Sequence, residues 1–304
     1  MTFADAYRSQ VALLIRALPS VAAEACFAMK GGTAINLFIR DLPRLSVDID
    51  LTYLPVEDRA ASLAAIDAAM LRIAERITAT IRDARVLPSR SRENVITKLV
   101  VRGDGAQIKI EVTPVLRGCV FEPQMRPVSP SVEDAFGFAE MRIVSFPDLF
   151  AGKLVAALDR QHPRDLFDVR DLLAAEGIDE ELRRAFLVYL ISHDRPMAEV
   201  LSARRKDIAA EFERGFVGMT LQPVVLTDLL AAREALVSQI VGAMPEAHRQ
   251  FLLAFERGAP DWSAVSLEAA AGLPAVRWRQ RNLDSLSVEK RAALVAQLEA
   301  VLAR

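Results

Sequence analysis

The chain has few cysteines and no long hydrophobic run. Its 304 residues include two cysteines, Cys26 and Cys119. Two cysteines so far apart exclude a zinc cluster or a disulfide framework. No apolar run approaches the ~18 residues of a membrane span, and no basic segment followed by a long apolar run is present at the N-terminus. These absences predict a protein without a signal peptide or membrane partner, and a cytoplasmic location.

The chain also lacks an excess of charge of either sign. Its 38 Lys and Arg residues against 40 Asp and Glu residues give a formal net charge of −2. Nucleic acid is therefore not attracted by overall charge, and any RNA partner must contact a local basic face. Basic clusters occur at Arg183-Arg184 and Arg204-Arg205-Lys206, but exposed helices carry such clusters routinely.

What the chain does have is a Gly-Gly-Thr turn, residues 31–33, followed by a Ser-x-Asp-x-Asp sequence at residues 46–50. Side chains alternate along a β-strand, so Ser46, Asp48 and Asp50 should share one face and leave an apolar face opposite. Two carboxylates ~4 Å apart repel by ~4 kcal/mol at an effective dielectric near 20, so the pair should retain a proton or recruit a cation. Oxygen ligands favour Mg²⁺ or Mn²⁺.

The glycine pair adds a second indication of phosphate binding. Paired glycines let backbone N–H groups approach an anion closely. Together, the turn and the acidic pair predict a site for a nucleoside triphosphate and its metal.

Other readings of the acidic pair are weaker. Two acids at this spacing should occur by chance roughly five times in a chain of this composition. A calcium loop starting at Asp48 would need Gly at 53 and Glu at 59, where the chain has Tyr53 and Arg59. A solvated strand edge remains an alternative, although the acidic and aliphatic residues alternate as in a half-buried strand.

Periodicity predicts the organisation of the rest of the chain. Residues 4–19 and 57–83 read as helices, and 94–102 with 107–113 as a hairpin that carries Glu111 on a strand. After a proline-containing passage, helix starts are predicted at Ser145 and Pro163. The length suggests about two domains, and we expect an α/β domain over residues 1–120 and a mainly helical domain over residues 121–304. The tryptophans, Trp262 and Trp278, are isolated and read as packing or surface residues.

Four separated blocks resemble one known family. They are Lys30-Gly31-Gly32-Thr33-Ala34, Arg44-x-Ser46-x-Asp48-Ile49-Asp50-Leu51, Lys153-Leu154 and Arg164-Asp165-Leu166-Phe167-Asp168. In order and rough spacing they resemble the AbiEii/AbiGii nucleotidyltransferase-like toxins. The resemblance implies a polymerase-β-like nucleotidyltransferase domain with a small mixed sheet, followed by an α-helical C-terminal domain that completes the nucleotide site and contacts the acceptor. It also implies a toxin of a type IV toxin–antitoxin or abortive-infection system, with an antitoxin encoded nearby.

The resemblance implies roles for individual residues. Lys30, Gly31, Gly32 and Thr33 would hold the triphosphate, with Arg44 and Ser46 steadying the phosphates or the turn. Asp48 and Asp50 would bind the metal ions, with Glu111 as a third carboxylate. Lys153 would lie near the phosphates, and Arg164, Asp165 and Asp168 would complete the nucleotide site. Some related toxins add nucleotides to the 3′ end of tRNA, so transfer of a nucleoside monophosphate from NTP to tRNA is the implied reaction.

Several alternatives stay open on sequence alone. A single Lys such as Lys153 is more often a solvated side chain, and Arg164 and Asp165 could simply stabilise the start of a helix. The same fold also modifies small molecules and proteins, because fold does not fix the acceptor. An alternative of another class is a non-catalytic protein-binding module, against which the intact Asp48 and Asp50 pair argues.

Overall fold

In the computed structural model, which describes residues 5–303, the chain forms two compact units. The first contains the residues up to Ser145 together with Gly218–Pro223. The second contains Phe146–Val217 and the chain from Val224 onward. Each unit has its own buried apolar core.

The first unit is built on one seven-stranded mixed sheet. Its strands are β1 (Phe27–Lys30), β2 (Asp48–Tyr53), β3 (Arg85–Arg90), β4 (Ile96–Gly103), β5 (Ala106–Arg117), β6 (Gln124–Pro127) and β7 (Glu140–Ile143). Their order in the sheet is β3-β4-β5-β2-β1-β7-β6. The β1–β7 and β2–β5 pairs are parallel and the other neighbours are antiparallel. Because β6 and β7 extend this sheet, the first unit continues past the boundary expected at residue 120.

One face of the sheet is covered by helices. The helices of this unit are α1 (Asp5–Ala22), α2 (Gly31–Ala34), α3 (Arg59–Thr80) and α4 (Pro130–Phe136), and α2 continues into a π-helical turn (Ile35–Ile39). α1 packs on β5, and α3 packs on β3 and β4. Under them, Ile49, Leu51 and Ile110 are fully buried, and each such side chain contributes about 1.5–3 kcal/mol. The opposite face carries the polar side chains of the same strands.

The register of the hairpin is fixed by a two-residue turn. Asp104 and Gly105 both have left-handed backbone angles, with φ of 52° and 72°. This is the conformation of the turn that matches the twist of antiparallel strands. The turn pairs Gly103 with Ala106, and the strands continue in step to Lys98 and Glu111.

The second unit is helical, and its described residues contain no strand. Its helices are α5 (Phe146–Asp159), α6 (Pro163–Ala175), α7 (Glu180–Ile191), α8 (Met197–Ser202), α9 (Ala209–Gly215), α10 (Leu226–Val237), α11 (Glu246–Arg257), α12 (Pro274–Asp284) and α13 (Val288–Leu302). α5 packs against α6, α7, α8 and α10. Across the described chain, no helix has the length and apolar composition of a membrane span.

Candidate active site

The central strands place the predicted carboxylates on one face of the sheet. Asp48 and Asp50 lie at the first and third positions of β2, so their side chains share a face, whereas Ile49 is fully buried on the other. Asp50 lies opposite Lys30 of β1 on one side and Glu111 of β5 on the other. Asp48, Asp50 and Glu111 therefore lie at neighbouring positions on two paired strands.

The glycine turn lies directly against this row. Gly31 has φ of +80°, and a Cβ at this position would lie 2.5 Å from Oδ2 of Asp50. A Cβ at Gly32 would lie 2.8 Å from Nη2 of Arg44 and 3.0 Å from Oγ of Ser46. Only glycine allows the backbone so close to these polar groups. The contacts leave no room for a side chain at either position.

Thr33 joins the turn to the acidic strand. Its Oγ1 donates a hydrogen bond to the backbone carbonyl of Asp48 and lies 3.0 Å from Oγ of Ser46. The expectation that Ser46 lies on the strand is wrong, because β2 begins at Asp48. Just before Ser46, the backbone N–H of Leu45 donates instead to the carbonyl of Met219, at 2.9 Å. Ser46 thus reaches the turn from a loop.

Arg44 supports the turn. It is 2% exposed, and its Nη1 donates to the carbonyl of Leu45 at 2.9 Å while Nη2 lies beside Gly32. A buried guanidinium needs such contacts, since burying an unpaired charge is costly. Its backbone forms a bridge with Thr220, in the segment Gly218–Pro223 that belongs to this unit. Of the two roles implied for Arg44, its contacts with the turn are the one observed.

Two lysines that the sequence analysis did not single out alternate with the acids. Nζ of Lys98 lies 2.6 Å from Oε1 of Glu111, and this hydrogen bond raises the pKa of Lys98. Lys109 lies opposite Asp48. The alternation of side chains in β4 and β5, combined with the register set by the turn at 104–105, could have predicted that Lys98 lies beside Glu111. Lys109 lies beside Asp48 because β5 pairs with β2, which no local pattern specifies.

Lys30 is half-buried at the edge of the acidic row. Burial lowers its pKa, while the negative charges of Asp50 and Cys119 act in the opposite direction. Lys30 therefore releases its proton more readily than a lysine in water. Its position opposite Asp50 still fits the expectation that it belongs to the site.

The donor set fits a metal that arrives with a nucleotide. Among residues 5–303, no group of three or more His, Cys, Asp or Glu side chains could hold a metal ion. Asp48 and Asp50 thus supply two carboxylates, while Glu111 turns to Lys98. Mg²⁺ is usually held by one or two carboxylates together with substrate phosphates and water rather than by an all-protein cage. The pair meets that requirement.

Gly31→Ala should abolish most activity. The new Cβ would displace the Asp50 carboxylate, which lies 2.5 Å from its position, and the residue would also have to adopt a left-handed φ. Steady-state kinetics should show a loss of at least tenfold in kcat/KM. Thermal unfolding, measured alongside, gives the cost to stability.

Gly105→Ala provides the matched control for this substitution. Gly105 has φ of +72°, but nothing lies within 4 Å of its Cβ position. In both variants, an alanine at positive φ should lower the free energy of unfolding by about 1 kcal/mol. Only Gly31→Ala moves Asp50. Equal activity of the two variants would contradict the role assigned to the turn.

The later residues of the resemblance meet in the second unit. Nζ of Lys153 lies 2.7 Å from Oδ1 of Asp165 and 3.0 Å from Oδ2 of Asp168, and all three side chains are buried. Nε of Arg160 lies 2.6 Å from Oδ2 of Asp165. Burial acts to raise the pKa of Asp165, but the charge of Lys153 and the hydrogen bonds from Arg160 outweigh it and hold the pKa well below its usual range.

Arg164 lies apart from this ion-pair cluster. It occupies the second position of α6, where its backbone N–H donates to Nδ1 of His162 at 3.1 Å. Pro163 precedes it at the first helical position, where a missing N–H costs nothing. The side chain of Arg164 is exposed. The structure thus confirms the predicted helix start, and the role of Arg164 towards a nucleotide stays a prediction.

Comparison with known proteins identifies the class of this site. Residues 12–280 match the family described as AbiEii: nucleotidyl transferase AbiEii toxin, type IV TA system. No match is found among curated proteins. Among solved structures, the chain is similar to MenT4, a nucleotidyltransferase toxin from Mycobacterium tuberculosis H37Rv. The TM-score is 0.56 and the identity 18%, over 98% of this chain and 92% of that chain.

The structural similarity confirms the expected fold, a nucleotidyltransferase domain with a mixed sheet followed by a helical part. The family match covers the turn, the acidic pair and the Lys153 cluster. It makes the chain a nucleotidyltransferase, with an NTP as substrate and an antitoxin as partner. The chain belongs to the AbiEii family of nucleotidyltransferase toxins of type IV toxin–antitoxin systems.

Proposed function

We propose that this toxin transfers a nucleoside monophosphate from an NTP to the 3′-terminal hydroxyl of tRNA in the cytoplasm. The acceptor oxygen bonds to the α-phosphorus, the bond from that phosphorus to the bridging oxygen breaks, and pyrophosphate leaves with the electron pair. The observation that carries the proposal is the glycine turn packed against Asp50 in the same row as Glu111. A growth-arresting reaction of this kind would act by removing tRNA from translation.

Residues of the sheet and of the glycine turn would have different roles in the reaction. Backbone N–H groups at Gly31 and Gly32 are proposed to bind the triphosphate, with Thr33 fixing the turn. Asp48 and Asp50 would hold Mg²⁺ or Mn²⁺, which supplies positive charge against the developing charge on the phosphates. Glu111 is proposed to accept the proton of the attacking hydroxyl.

The proposal also includes four residues from the second unit, on the strength of the family resemblance alone. Lys153 would neutralise charge on the phosphates. Arg164, Asp165 and Asp168 would complete the nucleotide site. Because Lys153, Asp165 and Asp168 also form buried ion pairs within the helical unit, their substitution should affect stability as well as nucleotide binding.

A basic strip on the open face of the sheet, formed by Lys109, Arg102 and Arg85, supports an RNA acceptor. From Asp48, the register runs through Lys109 and Val100 to Leu87 at the edge strand. Leu87 is 49% exposed. Lys109 is partly exposed on the strand next to Asp48, and Leu87 is exposed three strands away. A cation and an apolar surface in one row suit an RNA backbone and its bases.

The next row of the same face adds two arginines. Arg102 of β4 lies opposite Arg85 of β3, and both side chains are exposed. Neighbouring strands lie about 4.8 Å apart. Together, Lys109 on β5, Arg102 on β4 and Arg85 on β3 place one basic residue on each of the three strands that follow β2 in the sheet. An RNA strand whose 3′ end reaches Asp48 could be held along it.

Charge reversal at Arg85 should weaken RNA binding selectively. For Arg85→Glu we expect a several-fold rise in KM for tRNA, with KM for NTP unchanged. The log–log salt dependence of tRNA binding should fall by ~0.7 to 0.9 for each phosphate that the protein no longer neutralises. Filter binding between 50 and 200 mM salt measures this slope.

Arg126→Glu is the matched control. Arg126 lies on β6, the strand at the opposite edge of the same sheet, and the substitution changes the charge by the same amount. If both variants lost tRNA affinity equally, the loss would reflect total charge and the basic strip would have no special role.

The toxin proposal is tested by inducible expression. Wild-type chain should arrest growth, and tRNA from arrested cells should carry extra 3′ nucleotides by sequencing. Asp48→Asn should do neither. Arrest by both forms would favour a non-catalytic toxin, and arrest with unaltered tRNA would point to another acceptor.

A further inference from the structure

The helical unit contains a cavity that is lined by none of the residues assigned to the proposed reaction. Its volume is about 500 Å³, within the range of small-molecule sites. It is lined by Phe255, Gly258, Pro260, Trp262, Ala271, Val276, Arg277, Gln280, Arg281 and Asp284. All of these residues belong to the second unit. Most of the other lining residues are apolar, whereas Arg277, Gln280, Arg281 and Asp284 form a polar side that we call the basic wall.

The basic wall is one face of α12. Arg277, Gln280, Arg281 and Asp284 are spaced by three and four residues, so they lie along one side of the helix. Arg277 and Arg281 are exposed, and in the described part of the chain neither guanidinium has a carboxylate partner. Like charges four residues apart repel each other. An anion in the cavity would relieve that repulsion.

The acid in the wall does not serve as this counter-charge. Oδ1 of Asp284 accepts hydrogen bonds from Nη2 of Arg291 at 2.8 Å and from Nε2 of Gln280 at 3.1 Å. The guanidinium of Arg291 also lies close to Gly258, where a Cβ would be 2.8 Å from its Nη1. The hydrogen-bond partners of Asp284 are therefore Arg291 and Gln280, and neither is one of the exposed arginines.

An aromatic side chain, that of Trp262, lines the same cavity. The indole of Trp262 is fixed by edge-to-face contacts with Phe251, at 4.9 Å, and with Phe255, at 6.1 Å between ring centroids. Trp262 lines the cavity while packing on these rings. A rigid aromatic ring beside two arginines is the combination that stacks a base and binds its phosphate.

We propose that this cavity binds a nucleoside phosphate, with the base against Trp262 and the phosphate on Arg277 and Arg281. Arginine suits the phosphate because its planar donors can form paired hydrogen bonds. The ligand could be a free nucleotide or one nucleotide of single-stranded RNA, which share this chemistry. The proposal stands independently of which acceptor the catalytic site uses.

The two tryptophans of the chain allow a direct test. Trp278 is 50% exposed, so Trp278→Phe should fold normally and leave Trp262 as the only indole. Titration of this variant with ADP, with a four-nucleotide RNA and with adenosine should be followed by its fluorescence. ADP or the RNA should quench it saturably, and adenosine should bind at least tenfold more weakly because it lacks phosphate.

Added substitutions decide whether the arginines bind the ligand. Arg277→Ala with Arg281→Ala should weaken binding at least tenfold, whereas the matched exposed pair Arg204→Ala with Arg214→Ala should not. Quenching by ADP alone identifies a free nucleotide as the ligand, and quenching by the RNA alone identifies RNA. No quenching by either, or equal affinity in the two arginine pairs, overturns the proposal.

A last variant separates this cavity from the catalytic site. Asp48→Asn in the Trp278→Phe background should bind the cavity ligand with unchanged affinity, even though it loses transfer. If quenching disappears with Asp48→Asn, the signal comes from the catalytic site and the cavity proposal fails. Loss of transfer without loss of quenching leaves the cavity proposal intact.

Discussion

Asp48→Asn and Asp50→Asn should each reduce nucleotidyl transfer by about 100- to 1,000-fold or more, the cost of removing one group that stabilises transition-state charge. Each substitution keeps the shape of the side chain but removes a charge from the two-carboxylate set on β2. Both side chains are only partly exposed, and they share a face, so each change relieves repulsion between like charges while it removes an attraction to the lysine opposite, Lys109 or Lys30. Because these two effects oppose each other, the melting temperature should stay close to that of the wild type. Rate measurement with labelled NTP and thermal unfolding of the same samples give both values.

Asp134→Asn provides the control for these variants. Asp134 is exposed on α4 in the same unit, so the same chemical change should leave activity unchanged. A melting temperature lowered in step with activity for Asp48→Asn would show that folding, rather than chemistry, had been lost. Full activity in either site variant would remove the basis for the metal site.

Lys153→Met should destabilise the helical unit strongly. It leaves Asp165 and Asp168 buried without the ammonium that lies within 3.0 Å of both carboxylates. Breaking a buried ion pair from one side costs about 3–5 kcal/mol. Arg160 still binds Asp165 but is 62% exposed, so it compensates only in part. Urea unfolding measures the loss.

Two further variants make this prediction specific. Lys290→Met, at an exposed position on α13, should change stability by less than about 0.5 kcal/mol. Adding Asp168→Asn to Lys153→Met should recover part of the lost stability, because one uncompensated buried charge is removed. If the Lys153→Met chain were as stable as wild type, the stabilising role assigned to the buried ion pairs would be contradicted. Weaker NTP binding by the folded variant would support the proposal that Lys153 neutralises charge on the phosphates.

The elements that could be predicted from the sequence have strong local signals. The hairpin is predicted by the sequence Gly103-Asp104-Gly105 between alternating strands, and the starts of α5 and α6 by Pro147 and Pro163. From the sequence, Asp50 and Glu111 could be grouped only because both are carboxylates that suit a metal site. Their pairing could not be predicted, since nothing local specifies that β5 lies beside β2. That placement depends on pairing between residues about 60 positions apart in the sequence.

Other elements lacked such signals. β1, β6 and β7 have four residues each, too short for a period to show, and β3 contains Pro88 and is mostly exposed. The pairing of Gly218–Pro223 beside Arg44 could not be predicted, because residues far apart in sequence form it. Lys153, Asp165 and Asp168 were identified through the resemblance, but their mutual ion pairs required the structure.

The central claim is transfer of a nucleoside monophosphate to the 3′ hydroxyl of tRNA. The most direct measurement incubates the purified chain with each α-labelled NTP and with tRNA that is either intact or oxidised by periodate at its 3′ end. Periodate destroys the terminal hydroxyls and leaves the rest of the RNA unchanged. Our account predicts label in intact tRNA only, and none with Asp48→Asn. Equal label in oxidised tRNA, or label only in protein or a small molecule, would contradict it.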